Sequence, residues 1–208
     1  MPDVVLVQGA SRGLGLAFVK RLIGQFPSSK IIATCRDPNS ALALQELVEL
    51  HPQRVTLLRL DVTDGDSLEA VAEAVSVSGK PIDLLINCAG VLHSPEGLRP
   101  EKRLQDVCLS NLEQYFRVNT IGPLMVAKHL VPLMTRRRRA IIANLSARVG
   151  SISDNRLGGW YGYRASKSAQ NMMTKTLSIE LKRTHPEMIC VGLHPGTVAT
   201  ELSAPFSS

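Results

Sequence analysis

At 208 residues the chain is long enough to bury a sizeable core and suits one domain. A hydrophobic fraction of 44% with 20% charged residues is a globular balance and excludes a disordered chain. The formal charge is +6, part of it in the run Arg136-Arg137-Arg138-Arg139, which carries no interleaved aromatics and reads as a solvated turn rather than a nucleic-acid surface.

The elements alternate along the chain. An apolar strand at 4–8 is followed by a helical pattern at 14–26 with Leu14, Ala17, Phe18, Leu22 and Phe26 near one face. A second strand at 30–35 precedes a helix at 40–50, with Ser40 as its N-cap. A third strand at 54–60, a helix at 66–75 and a fourth strand at 82–87 come next. A polar loop with Pro95, Gly97 and Pro100 leads into a long helical stretch, about 104–134, that Pro123 and Pro132 should bend or interrupt. A fifth strand spans 140–146, a helix about 161–184 and a sixth strand 189–194. Strands that alternate with helices and are apolar on both faces predict an α/β fold, a doubly wound parallel sheet with helices on both sides. The whole chain, 1–208, reads as a single domain.

Cys35, Cys88, Cys108 and Cys190 form no C-x-x-C pair, and the five histidines show no ligand spacing, so no metal site is expected. Three of the thiols lie in or beside apolar strands, as reduced thiols of a cytoplasmic protein do. His194, before Pro195 at a strand end, reads as structural. No signal peptide and no run of membrane-spanning length is visible, so no membrane partner is expected.

Directly after the first strand stands Gly9-Ala10-Ser11-Arg12-Gly13-Leu14-Gly15. Glycines there permit a tight turn and let backbone approach a pyrophosphate, while the following helix offers free N–H groups and a positive partial charge. The spacing predicts a dinucleotide cofactor held against this Rossmann-type turn. At the end of the second strand Arg36 can accept a 2′-phosphate, with Arg12 assisting, which favours NADP(H) over NAD(H). Asp37 is the competing feature, suited to a ribose diol or to pairing with an arginine. Asp61, beside Val62 at the end of the third strand, can accept from an adenine amino group or begin a turn.

These features, taken in order, resemble the short-chain dehydrogenase/reductase family. The resemblance rests on the glycine loop at 9–15, Asn87-Cys88-Ala89-Gly90, Val118-Asn119, Asn144-Leu145-Ser146, Tyr163 with Lys167, and Pro195-Gly196-Thr197. The wording of "GLGLAFVK" and "GGWYGYRASKSA" is similar to the C-factor-like and sniffer-like carbonyl reductase branch. The resemblance implies an NAD(P)-dependent oxidoreductase acting on a small carbonyl or alcohol substrate, and a homo-oligomer built on the long helix and the Tyr163 helix. It implies that Asn87, Ala89 and Gly90 line the nicotinamide, with Pro195 and Gly196 nearby, that Thr197 meets the carboxamide, and that Asn119 holds a water in a proton relay.

Tyr163 and Lys167 are four apart on a helix and therefore share a face. A free phenol titrates near ~10, and a nearby ammonium lowers that value toward one useful for proton transfer. Two departures from the family pattern stand out. Where the family carries a second serine after the fifth strand this chain has Ala147, beside Ser146; Ser146 is the first choice for the substrate-polarising hydroxyl, with Ser151 and Ser153 as alternatives. The family also continues into a substrate lid and a seventh strand, whereas this chain ends about ten residues after Thr197 and reads as C-terminally incomplete. A dinucleotide-binding protein with little catalysis, acting in signalling or on a partner, is the competing reading.

Overall fold

The computed structural model describes residues 1–196 and 198. Six strands form one parallel sheet: β1 (Val4–Gln8), β2 (Lys30–Cys35), β3 (Val55–Arg59), β4 (Leu84–Asn87), β5 (Ala140–Leu145) and β6 (Met188–Leu193). Their spatial order is β3-β2-β1-β4-β5-β6, every pairing parallel. The order reverses between β1 and β4, so a crevice opens there beyond the carboxyl ends of the strands, where open α/β sheets bind ligands. The helices between them are α1 (Gly13–Gln25), α2 (Leu42–Leu50), α3 (Gly65–Val77), α4 (Leu109–Phe116), α5 (Gly122–Leu130) and α6 (Tyr161–Leu181).

Two apolar layers flank the sheet. Val5, Val7, Ile31 and Ala33 pack with Val19, Leu22 and Leu44 of α1 and α2. Leu6, Leu85 and Ile142 pack on the other side with Leu68, Val126 and Leu181 of α3, α5 and α6. Each buried aliphatic contributes about 1.5–3 kcal/mol, so these layers are what hold the crevice walls in place.

Four expectations need correction. Ala17 is exposed, and the buried line of α1 runs Gly15, Val19, Leu22, at spacings of four and three. Ser40 does not cap α2: the helix begins at Leu42, and the Ser40 hydroxyl bonds the Asp37 carbonyl in the preceding turn. The stretch 104–134 is interrupted as expected at Pro132, but not at Pro123, and it is broken elsewhere as well. It passes from α4 through a π-helical segment, Arg117–Ile121, into α5 and then a 3-10 turn at Val131–Leu133 that holds Pro132. Pro123 does not break it, because it lies in the first turn of α5, where its missing N–H is tolerated. The arginine run is not wholly solvated: the Arg138 guanidinium lies 2.7 Å from Asp3 and 2.9 Å from the buried Asp83, tying the fifth strand's entry to the starts of β1 and β4. Thr197 and the expected lid and seventh strand lie outside the described residues.

Candidate active site

The turn after β1 is built by backbone proximity. Gly9 has φ +77° and donates to the Thr34 carbonyl at 3.0 Å; a Cβ at Gly9 would lie 2.6 Å from the Ala89 nitrogen. A Cβ at Gly15 would lie 2.1 Å from the Gly9 oxygen, so α1 can meet the turn this closely only with glycine there. The N-cap residue, Arg12, makes no side-chain cap on α1, and no acidic residue stands in its first turn. Its leading N–H groups and positive partial charge are therefore left to an anionic ligand. Ser11, Arg12, Gly13 and Leu14 lie along this turn.

The neighbouring strand ends complete the crevice. Arg36 is exposed just past β2. Asp37 is turned into its own loop, where the Ser40 hydroxyl and the Asn39 amide hold its carboxyl below the usual range, so it is not the partner of Arg36. Asp61 Oδ1 accepts from the Thr63 amide at 2.9 Å and its hydroxyl at 2.8 Å, which is the turn-forming use of that residue. The Val62 side chain is buried against Gly122. At the end of β4, Asn87 donates to Asn144 Oδ1 at 2.7 Å, and its own buried Oδ1 has no protein partner among the described residues. Gln8 Oε1 accepts from the Ala89 amide at 3.0 Å, and Cys88, between them, is pushed up to about 12 by burial and stays a thiol.

The chemistry-bearing side chains meet behind Gly90. A Cβ there would lie 3.4 Å from Asn119 Oδ1 and 3.7 Å from Lys167 Nζ. Asn119 sits within the π-helical segment, a distortion frequent at functional sites, and its amide grips both sides of Val91, accepting from the N–H at 2.8 Å and donating to the carbonyl at 2.9 Å. Asn119 Nδ2 also reaches Ser166 Oγ at 3.2 Å, and Ser166 in turn donates to the Tyr163 carbonyl at 2.8 Å. Lys167 Nζ lies 6.0 Å from the Tyr163 ring centre and donates to the Leu145 carbonyl at 2.8 Å and Gln170 Oε1 at 3.0 Å. Burial dominates both groups. It pushes Tyr163 up to about 12 and pulls Lys167 down to about 8. The expected lowering of the phenol by the lysine is thus outweighed by desolvation.

The structure does not bring Ser146 to Tyr163. Ser146 Oγ donates to Asn171 Oδ1 at 2.6 Å and its Cβ faces Gly192, on the side of the sheet where α6 meets β6. Ala147 is the residue that packs into the aromatic cluster of Tyr163, Tyr115 and Trp160. Ser151 and Ser153 face each other at 3.3 Å in the exposed loop beyond. His194 is structural as expected: its Nδ1 accepts from the Arg148 amide at 3.2 Å and joins the ends of β5 and β6 next to Pro195 and Gly196.

Residues 3–208 match the description of the short chain dehydrogenase family over nearly the whole chain. The chain belongs to that family. Among its relatives, C-signal of Myxococcus xanthus is 37% identical over 135 residues, 64% of this chain and 76% of that protein. The NADPH-bound carbonyl reductase from chicken fatty liver superposes with a TM-score of 0.86 at 33% identity, covering 96% of this chain and 78% of the other. Carbonyl reductase Sniffer of D. melanogaster has the same TM-score at 31% identity, covering 97% and 83%.

For a short-chain dehydrogenase, several side chains around Tyr163 carried no sequence signal. Glu101 is buried, accepts from the Gly162 amide at 3.1 Å and offers its carbonyl to the Trp160 amide. Tyr115 donates to the Leu92 carbonyl at 2.7 Å and stands edge-on to Tyr163 with ring centres 6.1 Å apart. Gln170, three residues past Lys167, was detectable by helical spacing alone.

Proposed function

We propose that this short-chain dehydrogenase is an NADP(H)-dependent oxidoreductase that interconverts a small carbonyl compound and its alcohol, with Tyr163 as the acid and base. The observation that carries this reading is the convergence of Lys167 and Asn119 behind Gly90, with the Tyr163 ring centre 6.0 Å from that lysine, beside a glycine turn whose N-cap residue makes no side-chain cap. The residues fit a dinucleotide. Gly9, Ser11, Arg12, Gly13, Leu14 and Gly15 form a turn that a Cβ at Gly9 or Gly15 would push apart, Arg36 offers a guanidinium to a 2′-phosphate, and Asn87 Oδ1, without a protein partner among the described residues, suits an amide donor. The NADPH in the chicken enzyme supports the same preference. When bound, the nicotinamide supplies hydride in reduction and takes it in oxidation.

The chain's own residues handle the proton. A phenol pushed up to about 12 is fully protonated at neutral pH, the form needed to donate to a carbonyl oxygen. The phenolate left behind is stabilised by the Lys167 ammonium and refilled with a proton from solvent. Alcohol oxidation needs the phenolate first and should therefore speed up as pH rises. Asn119 fixes Val91 and Ser166 around this pair, and its place beside Gly90 supports the water relay read for it. Free thiols at all four cysteines support a cytoplasmic setting, and exposed Leu109, Ile121, Met172 and Ile179 on α4, the π-helical segment and α6 support a homo-oligomer.

NADPH oxidation against a panel of aldehydes and ketones, with Tyr163→Phe as control, tests the assignment; equal turnover in the variant would remove it. One observation favours a second reading, a dinucleotide-binding protein of low turnover: the side chain packed beside Tyr163 is Ala147, and Ser146 is committed to Asn171. Cofactor binding without turnover on any panel member would select it.

A further inference from the structure

The buried face of α6 is mostly polar: Tyr163, Ser166, Lys167, Gln170 and Thr174 line it. Ser166 and Thr174 are satisfied by bonds to backbone carbonyls of their own helix. Gln170 is different. It is only 2% exposed, its Oε1 accepts from Lys167 Nζ, and its Nε2 has no protein partner among the described residues. The amide orientation is fixed by Lys167, because an ammonium has only donors and Nε2 cannot face it. A half-satisfied buried amide is unfavourable where a leucine would pack without penalty, and such a group calls for a specific explanation. The gain is at the lysine.

We propose that Gln170 is a positioning residue that holds the Lys167 side chain as an oriented ammonium. This rests on the reading of Lys167 as the activator of Tyr163. Two of the three ammonium protons are bound, one by the Leu145 carbonyl and one by Gln170. The third is left without either acceptor, on an ammonium that lies 3.7 Å from where a Cβ at Gly90 would stand and 6.0 Å from the Tyr163 ring centre. Without Gln170 the amine would have one acceptor and a free rotation about its last bond. Among the described residues the ionisable group beside Lys167 is Tyr163 on the same helix, with Tyr115 and Glu101 behind that ring; Gly90, Asn119 and Leu145 present only neutral groups from the other elements.

The test reads the lysine directly. The full-length protein is labelled with 13C at lysine Cε, the Lys167 signal is assigned by its loss in Lys167→Met, and its titration is followed by NMR in wild type, Gln170→Met, Gln170→Leu and Gln170→Glu. Removing the acceptor should lower the Lys167 midpoint by about one pH unit in the Met and Leu variants, and a carboxylate should raise it by about one unit or more. Midpoints within about 0.3 unit of wild type in whichever apolar variant folds, or a fall in Gln170→Glu, overturn the proposal. The measurement needs neither substrate nor cofactor, so it fails separately from the Tyr163→Phe test. A protein with the predicted shifts but no turnover would keep the role of Gln170 and lose only the enzymatic reading.

Discussion

Replacing Ala147 with serine should increase turnover. Ala147 is extended, with φ −146° and ψ 149°, and opens the 3-10 turn Arg148–Gly150. Serine suits such a position, so the backbone should not move. The methyl it replaces packs against the cluster that holds Tyr163, so the substitution adds a hydroxyl beside that cluster. One well-placed donor to a developing oxyanion contributes about 2.7–4 kcal/mol, or roughly 10²–10³ in kcat. A hydroxyl that also bonds the turn gives up part of this, so a tenfold rise is the minimum expected. The assay is steady-state NADPH oxidation with an aromatic aldehyde in wild type, Ala147→Ser, Ser146→Ala and the double variant Ala147→Ser/Tyr163→Phe. Ser146→Ala should leave kcat within about twofold, since its hydroxyl is engaged with Asn171. A fall of about a hundredfold in Ser146→Ala, with no rise in Ala147→Ser, would falsify the reasoning and make Ser146 the donor.

Lys167 has a lower pKa folded than unfolded, about 8 against 10.5, so between those values the unfolded chain binds more protons and stability rises with pH. Wild type should therefore gain about 2 kcal/mol relative to Lys167→Met between pH 8 and 9.5, read by urea unfolding; a constant difference would show that burial does not depress this lysine. Above pH 10 Tyr163 acts in the opposite sense, because its raised pKa favours the protonated folded form and that contribution is lost as pH climbs toward 12. Arg36→Gln should weaken NADPH binding by about tenfold or more and leave NADH within about twofold, by calorimetric titration; equal losses for both would detach Arg36 from the 2′-phosphate. Glu101→Ala should lower the melting temperature by about 2–8 °C through loss of the only side-chain acceptor on the first turn of α6 among the described residues, while Glu101→Gln, which keeps an acceptor, should recover most of it.

The parts of this molecule that were legible in sequence are those that depend on local spacing. Gly9 to Gly15 could be read because the turn, the close approach and the helix start all fall within seven residues. Tyr163 and Lys167 could be read because the helix alone puts them on one face. Alternation along β5 already separated Ser146 from Ala147, and the bond of the Ser146 hydroxyl to Asn171 shows which way Ser146 points. What was illegible depends on distant partners or on competition between neighbours. Nothing near Ser40 shows that Asp37 will claim its hydroxyl. Nothing near Glu101 shows that its carboxylate will meet an amide 61 residues away. The raised pKa of Tyr163 is illegible for the same reason: spacing shows which charge is near, but the depth of burial belongs to the whole fold.

Those distant partners have a mechanical consequence. The loop from Cys88 to Glu101 is fixed to the Tyr163 helix and its support at three places. Asn119 clamps Val91, the Tyr115 hydroxyl binds the Leu92 carbonyl, and Glu101 binds the first turn of α6 through both its carboxylate and its carbonyl. Between Leu92 and Glu101, Leu98 and Pro100 are buried, His93 and Ser94 are half-buried, and Pro95, Glu96, Gly97 and Arg99 are exposed. The anchors sit where displacement would move the phenol, and the exposed residues Pro95, Glu96, Gly97 and Arg99 sit where side chains can change without moving it. If Tyr163 is the acid and base proposed above, the anchored part of this loop holds the phenol in place while its exposed part can change in sequence.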